Sequence, residues 1–174
     1  LRALDICIHG IQLPNISTVV DAQKLVEFSK YPPIGIRGFS PFTKAGNYDF
    51  RNGKTLPSEA NKNVLVIANL EGVEGIQNIE AIAKVDFLDV IFIGLFDLSK
   101  SMGIPGDVEN PLVINALEKA VKMVHINNKK IGTIAANFGM LKNFKEIGID
   151  YLTYSVDTGI IKESYMDIVK SFNN

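Results

Sequence analysis

Strand-like and helix-like segments alternate along the whole chain, and this alternation restricts the possible folds more than any other feature. Five apolar segments are predicted to be strands, each followed by a helical segment, at about residues 10–14, 64–70, 89–94, 130–135 and 150–155. Such alternation means parallel strands joined by right-handed crossovers. The predicted class is therefore α/β, with an open doubly wound sheet and a closed barrel of eight strand-helix units equally favoured.

The helical segments carry start signals and apolar stripes. Thr18 and Asp21 have capping-box spacing before a helix that runs to about Ser29. Asn110 and Pro111 give a cap and a first-turn proline for another helix. Its apolar stripe has helical spacing and consists of Val113, Leu117, Ala120, Val121 and Val124. The last helix is predicted to bury Ile161, Tyr165, Ile168, Val169 and Phe172.

Five strand-helix units and a helical stub at residues 1–5 fit a barrel that lacks its first three units. If the fold is a barrel, the chain is one partial (β/α) barrel domain over residues 1–174 that begins inside a fold. Residues 31–55 are rich in glycine, proline and asparagine and show no clear period. We interpret them as a long excursion, and loops of that length inside a compact domain are usually functional.

Composition excludes several classes of protein. The 174 residues are 47% hydrophobic and 21% charged with a net charge of −1, which suits a folded core and excludes a disordered tail. No basic stripe points to nucleic acid, and the apolar runs fall short of the ~20 residues of a membrane span. The single cysteine, Cys7, suits a reducing cytoplasm and is predicted to be a buried structural thiol.

In parallel α/β proteins the chemistry lies where strands end and loops begin. Glu71 and Asp97 follow two consecutive predicted strands and are 26 residues apart, which is one strand-helix-strand unit. Neighbouring strands lie about 4.8 Å apart, so one oxygen from each carboxylate can share a cation. Two hard oxygen ligands favour Mg²⁺ or Mn²⁺. Alternatively, Asp97 caps a short helix and Glu71 is a solvated loop acid.

Several segments resemble one known family in order and over nearly the whole chain. Residues 31–38, YPPIGIRG, are similar to the YPPxGxRG segment of the HpcH/HpaI aldolases. Residues 69–71, Asn-Leu-Glu, stand at that family's Gln-Ile-Glu triplet, and residues 92–99, FIGLFDLS, match its FIGPxDLS segment. Residues 10–14 correspond to its strand ending in Val-Pro, and residues 156–158 to its final strand-helix junction.

The resemblance implies a TIM barrel of the phosphoenolpyruvate/pyruvate type with about its last five units present, and a class II pyruvate aldolase. Such a carbon–carbon lyase cleaves or forms 2-oxo-acid aldols through a metal-stabilised pyruvate enolate. Its partners would be pyruvate and an aldehyde, with Mg²⁺ or Mn²⁺ as cofactor and Co²⁺ possible. A cytoplasmic homo-oligomer is expected, without nucleic acid or membrane.

On the same resemblance, Glu71 and Asp97 hold the metal. The residues expected to bind substrate are Asn69, Phe96, Asp97 and Pro14, and the backbone amides around residues 96 and 97 would face the pyruvate carboxylate. Asn69 is one methylene shorter than the family glutamine, so its direct contact can be lost or bridged by water. Leu95 and Phe96 add bulk in place of a proline and a small residue.

No catalytic residue is identified, because the family's histidine and a substrate-binding arginine belong to its first three strands. Neither histidine of this chain replaces them: His9 is predicted to act at a helix end, and His125 to lie on the surface. Ser155 stands where the family often has glycine. Arg37 is a possible substrate or subunit contact, although bracing of its loop through carbonyl groups is favoured.

Two other functions stay open at this point. One is a relative of the citrate lyase β subunit that acts on coenzyme A thioesters. The other is a non-catalytic partial barrel that needs a complementary piece to cover its open strand edges.

Overall fold

The computed structural model describes residues 2–173, in which five parallel strands form one sheet. The strands are β1 (Gly10–Leu13), β2 (Leu65–Leu70), β3 (Val90–Ile93), β4 (Lys130–Ala135) and β5 (Tyr151–Tyr154). Their order across the sheet is β1-β2-β3-β4-β5, and each neighbouring pair is parallel. Each strand differs from its predicted range by at most one residue at either end.

Nine α-helices connect and flank these strands in the described part of the chain. They are α1 (Arg2–Asp5), α2 (Val19–Ser29), α3 (Leu56–Asn63), α4 (Val73–Gln77), α5 (Ile79–Ala83), α6 (Leu95–Ser101), α7 (Pro111–Ile126), α8 (Phe138–Glu146) and α9 (Asp157–Asn173). Within residues 2–173, none of the helices has the length and apolarity that crossing a lipid bilayer requires.

The strand order separates the two predicted α/β architectures. An open doubly wound sheet reverses its strand order part-way, whereas these five strands are neighbours in chain order. Right-handed crossovers then place all the connecting helices on one face of the sheet. The main core lies on that face, where Val66, Ala68 and Leu70 pack with the helices. This is the order of consecutive units in a (β/α) barrel.

The other face of the sheet carries a much smaller apolar cluster. Ile67, Val90 and Phe92 are buried there, with Ile134 packed against them. Leu65 on the same face is 47% exposed. Beside this cluster lies a cavity of about 600 Å³ lined by His9, Gly10, Gln12, Leu65, Ile67, Val90, Lys130, Asp150 and Tyr151. This face is therefore only partly covered by the described residues.

The predicted helix caps and the main apolar stripe are confirmed. Thr18 Oγ1 accepts from the Asp21 N–H, while the Asp21 carboxylate accepts from the Thr18 N–H, which completes the capping box before α2. Asn110 Oδ1 accepts from the Leu112 N–H at the start of α7. The five stripe residues predicted for that helix are all buried.

The segment between α2 and β2 contains more structure than predicted. Residues 31–55 include two short 3₁₀ helices, Lys44–Gly46 and Phe50–Lys54, and α3 follows them directly. Helix α3 was not predicted, and Pro57 in its first turn is the signal for it. The buried Lys30 ammonium anchors its end by donating to the Asn61 and Val64 carbonyls. Burial lowers the pKa of Lys30, although Asp89 opposes this effect.

Three other predictions differ from the structure. The helix predicted over residues 75–84 is two helices, α4 and α5, interrupted at Asn78 (φ −90°, ψ 3°), whose side chain donates to the Ser17 carbonyl. The last helix buries none of its described residues, and Phe172 is 89% exposed, because no described element packs on its apolar stripe. Cys7 is exposed, since the chain turns at φ 66° just beyond α1 instead of continuing into the core.

A polar cluster joins the amino ends of β4 and β5. Asp150 Oδ1 accepts from Lys130 Nζ at 2.8 Å, and its Oδ2 accepts from the Ile131 N–H at 3.1 Å. His125 Nε2 lies 2.8 Å from the same Oδ2. Partial burial raises the pKa of Asp150, but the bonds from Lys130 and His125 outweigh it and lower that pKa overall. The cluster therefore favours the ionised carboxylate.

This cluster predicts a pH dependence of stability. The folded-state pKa of Asp150 is below its ordinary value of 3.8, so its ionised form stabilises the fold above that value and this stabilisation is lost as the pH falls through the native pKa. We expect the free energy of unfolding to fall less between about pH 6 and pH 3 in Asp150→Asn than in the wild type. Urea titrations across that range test this, with the exposed Asp86→Asn as control. Equal acid dependence in wild type and Asp150→Asn would contradict it.

Candidate metal and substrate site

The strand register brings the loops after β1, β2 and β3 together at one edge of the sheet. Leu70 at the end of β2 pairs with Ile93 at the end of β3, and the Gly94 N–H donates to the Leu70 carbonyl at 3.0 Å. The Ile16 N–H, beyond β1, donates to the Asn69 carbonyl at 3.1 Å. The carboxyl edge is thus fixed by backbone hydrogen bonds.

Glu71 and Asp97, the two predicted metal carboxylates, line the same cavity at this edge. The cavity measures about 310 Å³. Its other lining residues are Asn15, Ser17, Gly72, Lys100 and Ser101. Ser101 also joins two of the connecting helices, because its Oγ accepts from the Val73 N–H at 3.0 Å. The structure therefore places both acids in one pocket, as expected of residues on neighbouring strand tips.

Glu71 is half-buried and both of its oxygens accept hydrogen bonds. The Asn69 side-chain amide donates to Oε1 at 2.7 Å, and the Asn15 N–H donates to Oε2 at 3.0 Å. A carboxylate has about four acceptor sites, so these bonds leave each oxygen able to accept further. The Glu71 carboxylate is therefore fixed by hydrogen bonds to both oxygens. It differs from the solvated loop acid of the alternative interpretation.

Asp97 occupies the first turn of α6, and its side chain is 60% exposed. The N-cap of this helix is Gly94, so Asp97 is not the cap that the alternative interpretation proposed. Lys100 Nζ lies 3.8 Å from Asp97 Oδ1, and both side chains are largely exposed. Exposed pairs of this kind contribute little to stability. The Asp97 carboxylate thus remains accessible from the cavity.

The donor set fits a hard divalent cation. Glu71 and Asp97 bring carboxylate oxygens to one cavity, and within residues 2–173 no group of three or more His, Cys, Asp and Glu side chains that could hold a metal ion is found. Oxygen ligands supplemented by water and substrate are the coordination that Mg²⁺ and Mn²⁺ prefer. Beside Glu71, the buried Asn69 Oδ1 has no hydrogen-bond partner among the described residues.

The residues predicted to bind substrate are placed differently from one another. The Asn69 side-chain amide donates a hydrogen bond to the Glu71 carboxylate. Phe96 is 51% exposed and adjoins Asp97 in α6. Pro14 is exposed and lines a different cavity, of about 450 Å³, between the β1 loop and α2. The structure thus brings Asn69 and Phe96 next to the two acids, while Pro14 faces a separate pocket.

Arg37 lies away from this cavity and braces the excursion. Its side chain is 2% exposed, its guanidinium lies 4.4 Å from the Tyr31 ring centroid, and its Nη2 donates to Asp5 Oδ1 at 3.3 Å. The bracing role favoured from the sequence agrees with this position, but the partners are a carboxylate and an aromatic ring instead of carbonyl groups. Arg37 therefore has no route to a substrate in the Glu71 cavity.

The two histidines lie at the amino edge of the sheet, opposite the Glu71 cavity. His125 pairs with Asp150 and is partly exposed, close to the surface role predicted for it. The helix-end role predicted for His9 is wrong: α1 already ends at Asp5, and the His9 carbonyl accepts from the Leu65 N–H at 2.9 Å. His9 instead belongs to the start of the sheet.

The roles of three residues of the site were not predicted from the sequence, although Asn15 was noted there as a polar residue just beyond a strand. The Asn15 backbone N–H reaches Glu71 because Asn15 adopts a left-handed φ of 58°, which asparagine tolerates better than most residues. Lys100 enters the cavity through its i+3 spacing from Asp97 on α6. Gly94 leaves the room that the Glu71 side chain occupies. The helical spacing of Lys100 was the one signal visible in the sequence.

Two other polar residues, Ser99 in α6 and Ser155 just beyond β5, have structural roles. Ser99 is fully buried; its hydroxyl donates to the Phe96 carbonyl and accepts from the Gly106 N–H. Ser155 has a left-handed φ of 47°, a conformation in which glycine is unstrained. That backbone explains why glycine is expected at this position from the resemblance.

The fold and the site together define an α/β protein with a candidate metal and substrate pocket at the carboxyl edge of its parallel strands. Residues 1–163 match the HpcH/HpaI aldolase/citrate lyase family. The chain belongs to this family.

Relatives and solved structures agree with that assignment. A hydroxypyruvate/pyruvate aldolase of Pseudomonas aeruginosa is 29% identical over 98% of the chain and 63% of its own length. A 5-keto-4-deoxy-D-glucarate aldolase of Enterobacter sp. (strain 638) is 29% identical over 98% of the chain and 66% of its own length. A crystal structure of a family protein from Burkholderia cenocepacia J2315 superposes with a TM-score of 0.93 and 26% identity, covering 99% of this chain and 68% of that one. The chain thus spans just under two thirds of the length of these curated relatives.

The position of Arg37 predicts a structural role. We expect Arg37→Met to lower the free energy of unfolding by about 1–3 kcal/mol, because a buried charge-assisted hydrogen bond is lost. Arg51→Met is the matched control, since the Arg51–Asp49 pair is exposed on its arginine side and its loss should cost less than about 0.5 kcal/mol. Denaturant titration measures both. Unchanged stability in Arg37→Met together with weakened binding of pyruvate would contradict the assignment.

Proposed function

We propose that the complete protein is a divalent-metal-dependent aldolase, a carbon–carbon lyase that cleaves or forms 2-oxo-acid aldols. The observation that carries this proposal is the shared cavity of Glu71 and Asp97, in which both Glu71 oxygens are already held by hydrogen bonds. Relatives named as aldolases of hydroxypyruvate/pyruvate and of 5-keto-4-deoxy-D-glucarate support the reaction class. The proposed substrates are pyruvate, or a related 2-oxo acid, and an aldehyde.

The complete fold is proposed to be a single TIM barrel of which this chain supplies consecutive units. The chain-order sheet and its partly covered inner face support this, because further units would pair with the edges of β1 and β5 that no described strand covers and would close the 600 Å³ cavity. A homo-oligomer in the cytoplasm is part of the same proposal. The family's catalytic histidine and substrate arginine would then come from outside these 174 residues.

In the proposed mechanism, Glu71 and Asp97 hold the metal, with Mg²⁺ or Mn²⁺ favoured and Co²⁺ possible. A divalent cation bound between them would supply Lewis acidity for the negative charge that develops on the 2-oxo acid. Glu71 is fixed in advance, so little reorganisation is needed when a ligand arrives. Phe96 and the neighbouring backbone amides would form the lip over the 2-oxo acid.

Lys100 lines the same cavity and suggests the main alternative mechanism, which is Schiff-base formation by a lysine. A lysine near a carbonyl substrate can form a Schiff base instead of relying on a metal. Its side chain is 75% exposed and 3.8 Å from Asp97, so it is solvated and not the desolvated lysine that such chemistry favours. We therefore assign Lys100 no covalent role.

Chelation distinguishes the two mechanisms. We expect the complete protein to release pyruvate from a 4-hydroxy-2-oxo acid, to lose that activity in EDTA and to regain it with Mg²⁺ or Mn²⁺. Borohydride added with pyruvate should leave the activity intact. Activity that resists EDTA but is trapped by borohydride, with the trap abolished in Lys100→Met, would establish the Schiff-base route instead.

The two carboxylates predict a second outcome. Glu71→Gln and Asp97→Asn should each lower metal-dependent turnover at least about 100-fold, because even partners outside the metal's own ligands typically cost 10- to 100-fold. Glu74→Gln, which changes an exposed acid in the next helix, is the control and should retain wild-type turnover. Circular dichroism checks the fold. Wild-type turnover in Glu71→Gln or Asp97→Asn would refute these roles. Loss of the fold in either variant, with a metal affinity equal to that of the wild type, would refute them as well.

The family description also includes citrate lyase, which keeps a second function under consideration. A relative of the citrate lyase β subunit would bind coenzyme A thioesters, so acetyl-coenzyme A binding measured by calorimetry separates it from the aldolase. The partly covered inner face favours a third possibility, in which this chain by itself is a non-catalytic partial barrel that needs a complementary piece.

A further inference from the structure

The hydrogen bonds around Glu71 come from the tips of two strands. Asn69, the second-last residue of β2, donates from Nδ2 to Oε1, and Asn15, just beyond β1, donates from its backbone to Oε2. One bond on each oxygen fixes both the position of the carboxylate and its rotation about the Cγ–Cδ bond. The two donors come from different strands, so a rotation of the Glu71 side chain would break at least one of these hydrogen bonds.

The amide of Asn69 has one orientation that suits this position. Its Nδ2 faces a carboxylate oxygen at 2.7 Å, and a flipped amide would place Oδ1 there, oxygen against oxygen. With Nδ2 used on Glu71, Oδ1 is buried and has no partner among the described residues. A buried acceptor without a donor is destabilising, which favours a donor that arrives with a ligand.

Gly94 completes the arrangement from the third strand. A Cβ at this position would lie 2.8 Å from Glu71 Cγ and 3.3 Å from Asn69 Oδ1. The space beyond β3 is therefore already filled by the Asn69–Glu71 pair, and a side chain there would displace it. We call Asn15, Asn69 and Gly94 the Glu71 cradle.

We propose that Asn69 is a positioning residue for the Glu71 carboxylate and that its free Oδ1 accepts a hydrogen bond from a water molecule that arrives with the bound ligand. This differs from the direct substrate contact that the resemblance implies for the position. It rests on the proposed metal site, because it assigns to Asn69 an effect on how Glu71 holds a cation. Asn69 is shorter than the glutamine that the family has at this position, and its side-chain N–H donates to the neighbouring Glu71 carboxylate.

The two roles predict different binding behaviour. A positioning residue affects cation affinity even when no substrate is present, whereas a substrate contact affects only the affinity for the 2-oxo acid. Asn69→Leu removes the amide and keeps the branched shape. Asn127→Leu is the matched control, because Asn127 is also part-buried, makes one side-chain hydrogen bond to the Met123 carbonyl, and lies at the opposite edge of the sheet.

The experiment is a Mn²⁺ titration of the complete protein without substrate, read by the electron paramagnetic resonance of free Mn²⁺. We expect Asn69→Leu to weaken Mn²⁺ binding about 10- to 100-fold and Asn127→Leu to change it less than about 2-fold. Gly94→Ala, whose added Cβ would press on Glu71 Cγ and also crowd the Asn69 Oδ1, should also weaken Mn²⁺ binding about 10-fold or more. At saturating Mn²⁺, the pyruvate affinity of Asn69→Leu should stay within about 3-fold of the wild type, because the substitution removes no contact with the 2-oxo acid.

Glu71→Gln in the same titration separates the failure of this inference from the failure of the proposed function. If Glu71→Gln abolishes Mn²⁺ binding while Asn69→Leu and Gly94→Ala bind like the wild type, the positioning role is wrong and the metal site stands. Asn69→Leu that binds Mn²⁺ normally but loses pyruvate would restore the substrate-contact role. Unchanged Mn²⁺ binding in Glu71→Gln would remove the metal site and this inference with it.

Discussion

The parallel pairing of β1, β2 and β3 in chain order is the constraint on which the candidate site depends. Because Leu13 pairs with Ala68 and Leu70 pairs with Ile93, the residues that follow all three strands emerge at one edge within hydrogen-bonding reach. Helices packed on the far side through a single apolar core hold the strands in that order. A slip of one residue between β2 and β3 would turn each side chain to the other face of the sheet and separate Glu71 from Asp97.

Much of this arrangement could be predicted from the sequence, because it follows from local patterns. The strand predicted before Glu71 is β2, and the capping residue Thr18 starts its helix where predicted. Alternation then implied parallel strands, and parallel strands implied a shared carboxyl edge. Glu71 and Asp97 were identified by their place after consecutive strands, and the structure puts them in one cavity.

Other features could not be predicted, since they depend on what lies beside a residue in space. The apolar stripe of α9 has sound helical spacing, yet periodicity cannot tell whether a partner element is present to cover it. Arg37 could be placed in the excursion but not against Asp5 and Tyr31, which precede it in the chain. The cradle around Glu71 likewise needs the backbone of Asn15, 56 residues away, whose donor is invisible in side-chain patterns.

Anomalous diffraction from Mn²⁺-soaked crystals of the complete protein would test the central claim most directly. The account predicts an anomalous peak between Glu71 and Asp97, with one oxygen of each carboxylate about 2 Å from the ion, the usual distance for hard oxygen ligands. Asn69 Nδ2 should still donate to Glu71 in that structure. A Mn²⁺ ion held elsewhere, or held by one of these carboxylates while the other stays out of reach, would contradict the account.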